Sequence, residues 1–290
     1  MTASHLTSPD RTLSERLADL EVDLQRHGSL LVAFSGGADS AFLLAAAARA
    51  LGPDRVVAGT AVSASLPEHE RADAADFAAE LGVRHRQVLT DEMAREGYRA
   101  NAGDRCYFCK AELLDVLLPL AEELGIAAVA TGTNADDAVA GFRPGIRAAA
   151  ERGAVTPLRD ANLTKTQIRA ASREWGLRTW DKPAAACLSS RIAFGVAITP
   201  HRLARVERAE VQLRNALRGA GYDVRDLRVR DLDEKGASVE VDAELVEVLA
   251  GSPQLLAAVE GFDEVRVDPR GFRSGSMNEL LPDPARYRDR

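Results

Sequence analysis

Buried strands alternate with helices along the first half of the chain, and this alternation constrains the fold more than any other sequence feature. Four segments are predicted as strands, and a helical pattern follows each of them, directly or after a polar stretch; the segments are SLLVAFS, RVVAGTAV, residues 84–90 and AAVATG. Strand–helix alternation is typical of a parallel sheet with helices on both faces. We therefore predict an α/β fold with a doubly wound parallel sheet.

The pattern changes near residue 200. A long helix is predicted from 201 to about 220, followed by two strands, a helical stretch broken at a Gly-Ser-Pro string, and a last strand; these cover 226–231, 237–242, 243–259 and 264–267. Such a mixture predicts a smaller C-terminal α+β domain. We place the two domains at residues 1–198 and 199–290.

Composition and charge limit the partners. Hydrophobic residues make up 46% and charged residues 28% of the 290-residue chain, as in ordinary soluble globular proteins. The formal net charge of −7 disfavours nucleic acid, because a polyphosphate backbone attracts basic surfaces. The first residues lack the apolar core of a secretion signal, and AFLLAAAA is too short to span a bilayer. We expect a cytoplasmic protein with neither a nucleic-acid nor a membrane partner.

The string SGGADS joins the first strand to the next helix. Gly36 and Gly37 let backbone N–H groups approach a phosphate, while Ser35 and Ser40 supply hydroxyl donors. Asp39 would repel phosphate unless a cation lay between them, so it is a candidate Mg²⁺ ligand. A capped glycine turn is the simpler interpretation, but the full string at this junction favours phosphate binding. It is not a Walker A motif, because no Gly-Lys-Ser/Thr follows.

Two further segments are candidates for the same site. GTNADD ends the fourth strand, at the edge where ligands bind in doubly wound sheets, and offers Gly132, Thr133 and Asp137. An Asx turn at the end of a strand is the alternative. Lys165 lies in the first turn of a predicted helix capped by Thr164, where a bound phosphate would offset the unfavourable helix dipole. A solvated surface lysine is the alternative there.

The three cysteines are the remaining chemical signal. Cys106 and Cys109 form a CxxC at a helix start, and Cys187 lies in the irregular segment KPAAACLSSR. They could be small buried residues, zinc ligands or redox thiols, but no histidine forms a local ligand pattern with them. Three thiolates with an open fourth position suit an iron–sulfur cluster, and a helix N-terminus favours thiolate.

Taken together, these segments resemble the LarE family of ATP-dependent sulfur transferases, which make the nickel-pincer nucleotide cofactor of lactate racemase. SGGADS is shared by many PP-loop ATP-pyrophosphatases, whereas a longer series between residues 30 and 278 is more specific: GTNADD, GFRPGIRA, PLRD, LTKTQIR, DKPAAACLSSRIAFG and GFRSGSMN. The resemblance implies a HUP-like PP-loop fold that uses ATP and Mg²⁺. It also implies adenylation of the carboxylates of pyridinium-3,5-biscarboxylate mononucleotide, release of pyrophosphate, and conversion to thiocarboxylates.

The resemblance implies two alternative sulfur sources. One type of member sacrifices the cysteine matching Cys187, which becomes dehydroalanine. Another holds a [4Fe-4S] cluster on three cysteines, here Cys106, Cys109 and Cys187, and delivers an iron-bound sulfide. The CxxC makes this chain resemble the cluster type, with sulfide or another sulfur donor as partner.

The resemblance also assigns a phosphate-binding role beside Cys187 to Ser189, Ser190 and Arg191, and makes Arg143 a second anion ligand. It implies a homo-oligomer, a hexamer in the family. Three other functions remain open: a tRNA thiolase of the same superfamily, an ammonia-using adenylating ligase, and a nucleotide-binding metal sensor. The acidic charge disfavours the first, and an ammonia-using ligase has no use for three cysteines.

Overall fold

The computed structural model describes residues 11–139, 144–183, 186–273 and 275–281. Its first half contains a four-stranded sheet in the order β3-β2-β1-β4, in which all neighbours are parallel. The strands are β1 Leu30–Ala33, β2 Val56–Val62, β3 Arg84–Leu89 and β4 Ala128–Thr131. The predicted α/β fold with a parallel sheet is therefore confirmed, and the carboxyl ends of the strands lie at one edge.

Helices cover both faces of this sheet because β1 is apolar on both. Leu30 and Val32 pack in a core with α1, α2, α3 and α9, whereas Leu31 and Ala33 pack on the opposite side with α5 and α7. The helices are α1 Leu13–His27, α2 Ala38–Leu51, α3 Glu68–Glu80, α4 Glu96–Arg99, α5 Arg105–Glu123, α6 Ala135–Val139, α7 Pro144–Glu151, α8 Pro157–Asp160 and α9 Lys165–Glu174. Short 3-10 helices lie at Pro53–Arg55, Glu92–Ala94 and Leu188–Arg191.

The C-terminal part has its own three-stranded sheet and its own apolar core. Strand β6 pairs antiparallel with β5 and parallel with β7. The elements are α10 Pro200–Gly219, β5 Leu227–Asp231, β6 Ala237–Val241, α11 Val246–Ala250, α12 Pro253–Leu256 and β7 Val265–Val267, with 3-10 helices at Asp233–Lys235, Ala243–Leu245 and Ser276–Leu280. The helical stretch breaks at Gly251 and Ser252, between α11 and α12.

The two parts are in contact next to the third cysteine. The Ala193 N–H donates to the Asp231 carbonyl at 2.9 Å, and Leu188 and Ile192 pack in one cluster with Leu203 of α10. The boundary between residues 198 and 199 stays a prediction. Every helix in the described part of the chain is too short or too polar to cross a membrane.

Candidate active site

A cavity of about 490 Å³ opens at the carboxyl edge of the parallel sheet. It brings together the phosphate loop, the GTNADD segment, the start of α9 and all three cysteines. Of the residues predicted from sequence, those that line it are Ser35, Gly37, Asp39, Ser40, Gly132, Thr133, Asp137, Lys165, Cys106, Cys109 and Cys187. Ser189, Ser190 and Arg191 lie behind this lining, and Arg143 falls outside the described residues.

The phosphate loop is held by its own hydrogen bonds. The Ser40 hydroxyl donates to the Gly37 carbonyl at 3.1 Å and accepts from the Ser35 N–H at 3.3 Å. Gly36 has a φ of +73°, a left-handed conformation that glycine adopts without strain. Gly37 caps α2 without a side chain, so the first N–H groups of the helix are left for an anion.

Gly132 lets the end of β4 approach this loop closely. A Cβ atom there would lie 2.9 Å from the Ser40 amide nitrogen and 3.1 Å from its Cα, and backbone at that distance has no room to give way. Only glycine therefore fits, and Thr133 is carried into the cavity beside the loop.

Asp39 has the features of a cation ligand. Its Oδ1 atom is buried and has no hydrogen-bond partner. Burial raises the pKa of the carboxyl group; nearby Lys165 opposes this rise and nearby Asp137 adds to it. Mg²⁺ is usually bound by one or two carboxylates together with substrate phosphates, so Asp39 and Asp137 fit a Mg²⁺ ion brought by a nucleotide.

The GTNADD segment forms an Asx turn, which was the alternative interpretation of its sequence, and the turn lies at the cavity. The Asp137 N–H donates to Asn134 Oδ1 at 3.1 Å, and the Asn134 N–H donates to Asp137 Oδ2 at 3.3 Å. The Lys165 N–H donates to Asp136 Oδ2 at 2.7 Å, which ties the start of α9 to this turn. The turn thus holds the Asp137 carboxylate and Lys165 at the same cavity wall.

Sequence reasoning singled out neither Arg169 nor Lys182, two of the cationic residues that line the cavity. Arg169 lies one turn after Lys165 on α9, and its guanidinium donates to the Lys182 carbonyl at 2.9 Å. Lys182 is held by Glu70, with Nζ 2.6 Å from Oε2. The four-residue spacing within LTKTQIR was the signal that would have found Arg169, because residues four apart share a helix face.

The cysteines come from two segments distant in sequence. Cys106 and Cys109 lie in the first turns of α5, and Cys187 precedes the 3-10 helix, where the Leu188 N–H donates to the Ser65 carbonyl at 2.8 Å. Burial raises the pKa of the Cys109 thiol, and nearby Cys187 raises it further. Burial thus opposes the thiolate form of Cys109, which the helix N-terminus was expected to favour.

The three cysteines line one cavity, and their role as ligands of an iron–sulfur cluster stays a prediction. Among the described residues, no group of three His, Cys, Asp or Glu side chains is arranged to hold one metal ion. A [4Fe-4S] cluster would bind each thiolate through a separate iron, so the three sulfur atoms would have to lie close to one another.

Comparison with known proteins decides the family. No protein-family model matches the chain. It is 40% identical over 274 residues to "Uncharacterized protein slr1717" of Synechocystis, covering 93% of this chain and 99% of that protein. It is 33% identical over 272 residues to the pyridinium-3,5-bisthiocarboxylic acid mononucleotide synthase of Lactiplantibacillus plantarum, covering 93% of this chain and 96% of that enzyme. The chain belongs to the LarE family.

In this LarE-family chain, the predicted anion ligands beside Cys187 are built into a buried network. The Ser189 hydroxyl contacts the Tyr98 hydroxyl, and the Ser189 carbonyl accepts from Arg105 Nη1 at 2.9 Å. The Ser190 hydroxyl donates to the Cys187 carbonyl at 2.8 Å. Arg191 is buried and pairs with Glu210 at 2.8 Å. Their role in phosphate binding stays a prediction.

Further buried arginines adjoin this network in the C-terminal part. Arg230 pairs with Glu240 at 2.6 Å, and Ser276 of the GFRSGSMN segment donates to the same carboxylate at 2.7 Å. Burial lowers the pKa of Arg228 to about 10, and the charge of nearby Arg191 contributes to the shift. Sequence reasoning missed both arginines, because an alternating strand pattern does not distinguish a buried ion pair from a solvated face.

Proposed function

We propose that this chain is an ATP-dependent sulfurtransferase that adenylates the carboxylates of pyridinium-3,5-biscarboxylate mononucleotide and converts them to thiocarboxylates. The observation that carries the proposal is the shared cavity, which holds a phosphate loop and three cysteines. The name of the Lactiplantibacillus plantarum relative supports the substrate. The proposal includes a cytoplasmic location and a homo-oligomer, a hexamer as in the family. Light scattering on the purified protein tests the oligomeric state.

In the first step, a substrate carboxylate oxygen attacks the α-phosphorus of ATP. The bond to pyrophosphate breaks, and an acyl-adenylate forms. The N–H groups at the start of α2, with Ser35 and Ser40, bind the leaving pyrophosphate. Asp39 and Asp137 would hold a Mg²⁺ ion that would neutralise part of its charge, and Lys165 and Arg169 stabilise the charge that develops there.

In the second step, a sulfur nucleophile attacks the acyl carbon and AMP leaves. Adenylation makes this possible, because AMP is a far better leaving group than an oxide ion. Cys106, Cys109 and Cys187 would hold a [4Fe-4S] cluster that supplies an iron-bound sulfide as a renewable nucleophile. Ser189, Ser190 and Arg191 would bind the substrate phosphate from behind Cys187, with Arg143 as a further anion ligand.

The test is anaerobic reconstitution with iron and sulfide, followed by turnover with ATP, Mg²⁺ and the biscarboxylate mononucleotide. We expect pyrophosphate release, several thiocarboxylates per chain when sulfide is supplied, and loss of the cluster in Cys106→Ala, Cys109→Ala and Cys187→Ala. Tyr107→Phe is the matched control, since Tyr107 lies between two of the cysteines but does not line the cavity. It should retain iron.

Two results would change the proposal. Protein that takes up no iron, yet gives one product per chain with dehydroalanine at position 187, would make Cys187 a sacrificial sulfur donor. If the protein releases no pyrophosphate with this substrate, the proposed reaction is wrong.

A further inference from the structure

Glu92 is a buried carboxylate on the cavity wall and has only neutral partners. Its side chain is almost fully enclosed, since the residue is 3% exposed, and it lines the cavity. Oε1 accepts from the Ser63 hydroxyl at 2.5 Å and from the Ser65 hydroxyl at 2.6 Å. Oε2 accepts from the Thr90 hydroxyl at 3.2 Å. No arginine or lysine of the described chain forms an ion pair with it.

The other buried acids of the described chain all have a cation. Five acidic residues are buried there, and four of them pair with arginine or lysine. The nitrogen–oxygen distances are 2.6 Å for Glu70 with Lys182, 2.8 Å for Glu210 with Arg191, 2.9 Å for Asp231 with Arg202 and 2.6 Å for Glu240 with Arg230. A buried carboxylate without a counter-charge costs several kcal/mol, of which hydroxyl donors offset a part. A cationic ligand would therefore supply the counter-charge that Glu92 lacks among the described residues.

Glu92 lies on the cysteine side of the cavity. The Ser65 hydroxyl contacts Glu92, and the Ser65 backbone carbonyl accepts a hydrogen bond at 2.8 Å from the N–H of Leu188, the residue after Cys187. The negative charge of Glu92 also contributes to the raised pKa of Cys109, after burial and Cys187. The carboxylate is thus close to the thiols, where the reacting ring of a substrate must come for sulfur transfer.

We propose that Glu92 recognises the positively charged pyridinium ring of the substrate; this rests on the proposed function. The ring nitrogen of a pyridinium mononucleotide carries the ribose and has no N–H, so it offers charge but no hydrogen bond. A carboxylate matches that charge, whereas a neutral ring would leave Glu92 buried and uncompensated. Glu92 thereby selects cationic rings and rejects neutral aromatic dicarboxylates of the same shape.

The test compares two substrates, pyridinium-3,5-biscarboxylate mononucleotide and its neutral isostere, in which a benzene ring replaces the pyridinium ring. Pyrophosphate release gives kcat/KM for each. Wild type should prefer the cationic ring by about 30-fold or more, the loss typical when one partner of a buried charge pair is removed. In Glu92→Gln, which keeps the size and the acceptor oxygen, the preference should fall close to one while the KM for ATP is unchanged.

Glu96→Gln is the matched control, because Glu96 is exposed on the adjacent α4 and does not line the cavity. It should keep the wild-type preference. Equal kcat/KM for both rings in wild type overturns the inference even if Glu92→Gln fails to fold. An unchanged preference in a folded Glu92→Gln, or a rise in its KM for ATP instead, also overturns it. A wild-type protein that releases no pyrophosphate with the cationic substrate removes the proposed function, and the inference with it.

Discussion

The phosphate loop and the cysteine group face the same cavity but are built differently. The loop is six consecutive residues, and Ser40 fixes it through hydrogen bonds to Ser35 and Gly37. The cysteine group combines two segments far apart in sequence, and its shape depends on buried neighbours such as Tyr98 and Arg105. The difference implies that nucleotide activation and sulfur delivery can be separated by mutation.

The strongest test of that separation is Asp39→Asn. Removal of the charge leaves Mg²⁺ without one of its carboxylates, and we expect pyrophosphate release to fall by about 100-fold or more. Iron uptake and thermal stability should stay near wild type, because the cysteines are untouched. Pyrophosphate release at fixed Mg²⁺, iron analysis and a melting curve give the three measurements.

Asp54→Asn is the control for this variant, since Asp54 is exposed in the 3-10 helix Pro53–Arg55 and does not line the cavity. It should behave as wild type in all three measurements. If Asp39→Asn also loses iron, the two halves of the site are coupled, and nucleotide activation cannot be separated from sulfur delivery by mutation.

The same difference explains what could be predicted from sequence. Strands β1, β2 and β4 follow from runs of apolar residues, the parallel sheet follows from the alternation of strands with helices, and the phosphate loop follows from a contiguous string. Glu92 and Tyr98 could not be found in this way. They lie in the polar stretch after β3, which has no period. Tyr98 is buried against Leu188 and Ile192 after Cys187, whereas Glu92 is buried beside hydroxyl groups that include those of Ser63 and Ser65.

The nucleotide-binding part of the cavity also includes residues far in sequence from the phosphate loop. Arg169→Met tests the contribution of one of them. The guanidinium lies at the cavity beside Lys165, so its loss removes one cation from the pyrophosphate site. We expect the KM for ATP to rise by about tenfold, a typical value for one charge-assisted contact. Arg173→Met is the matched control, because Arg173 is exposed one turn later on α9 and does not line the cavity. If the two variants have the same KM for ATP, Arg169 does not contribute to ATP binding.

The smallest effect concerns how α9 is fixed. Thr164 and Gln167 form a capping box, with the Gln167 N–H 3.3 Å from the Thr164 hydroxyl and the Thr164 N–H 3.1 Å from the Gln167 side-chain oxygen. Thr12 and Glu15 form the same arrangement on α1, which lies away from the cavity. The two caps therefore offer the same chemistry in two places, one at the site and one remote from it.

Thr164→Ala and Thr12→Ala should each cost about 1 kcal/mol, a typical value for loss of an N-cap, and lower the melting temperature by about 2–4 °C. Thr164→Ala should also raise the KM for ATP about two- to threefold, because a frayed first turn of α9 loosens Lys165 and, less strongly, Arg169. Thr12→Ala should leave that KM unchanged. If both variants melt earlier yet bind ATP as wild type does, the tie between Lys165 and Asp136 is sufficient to hold α9, and the cap serves stability alone.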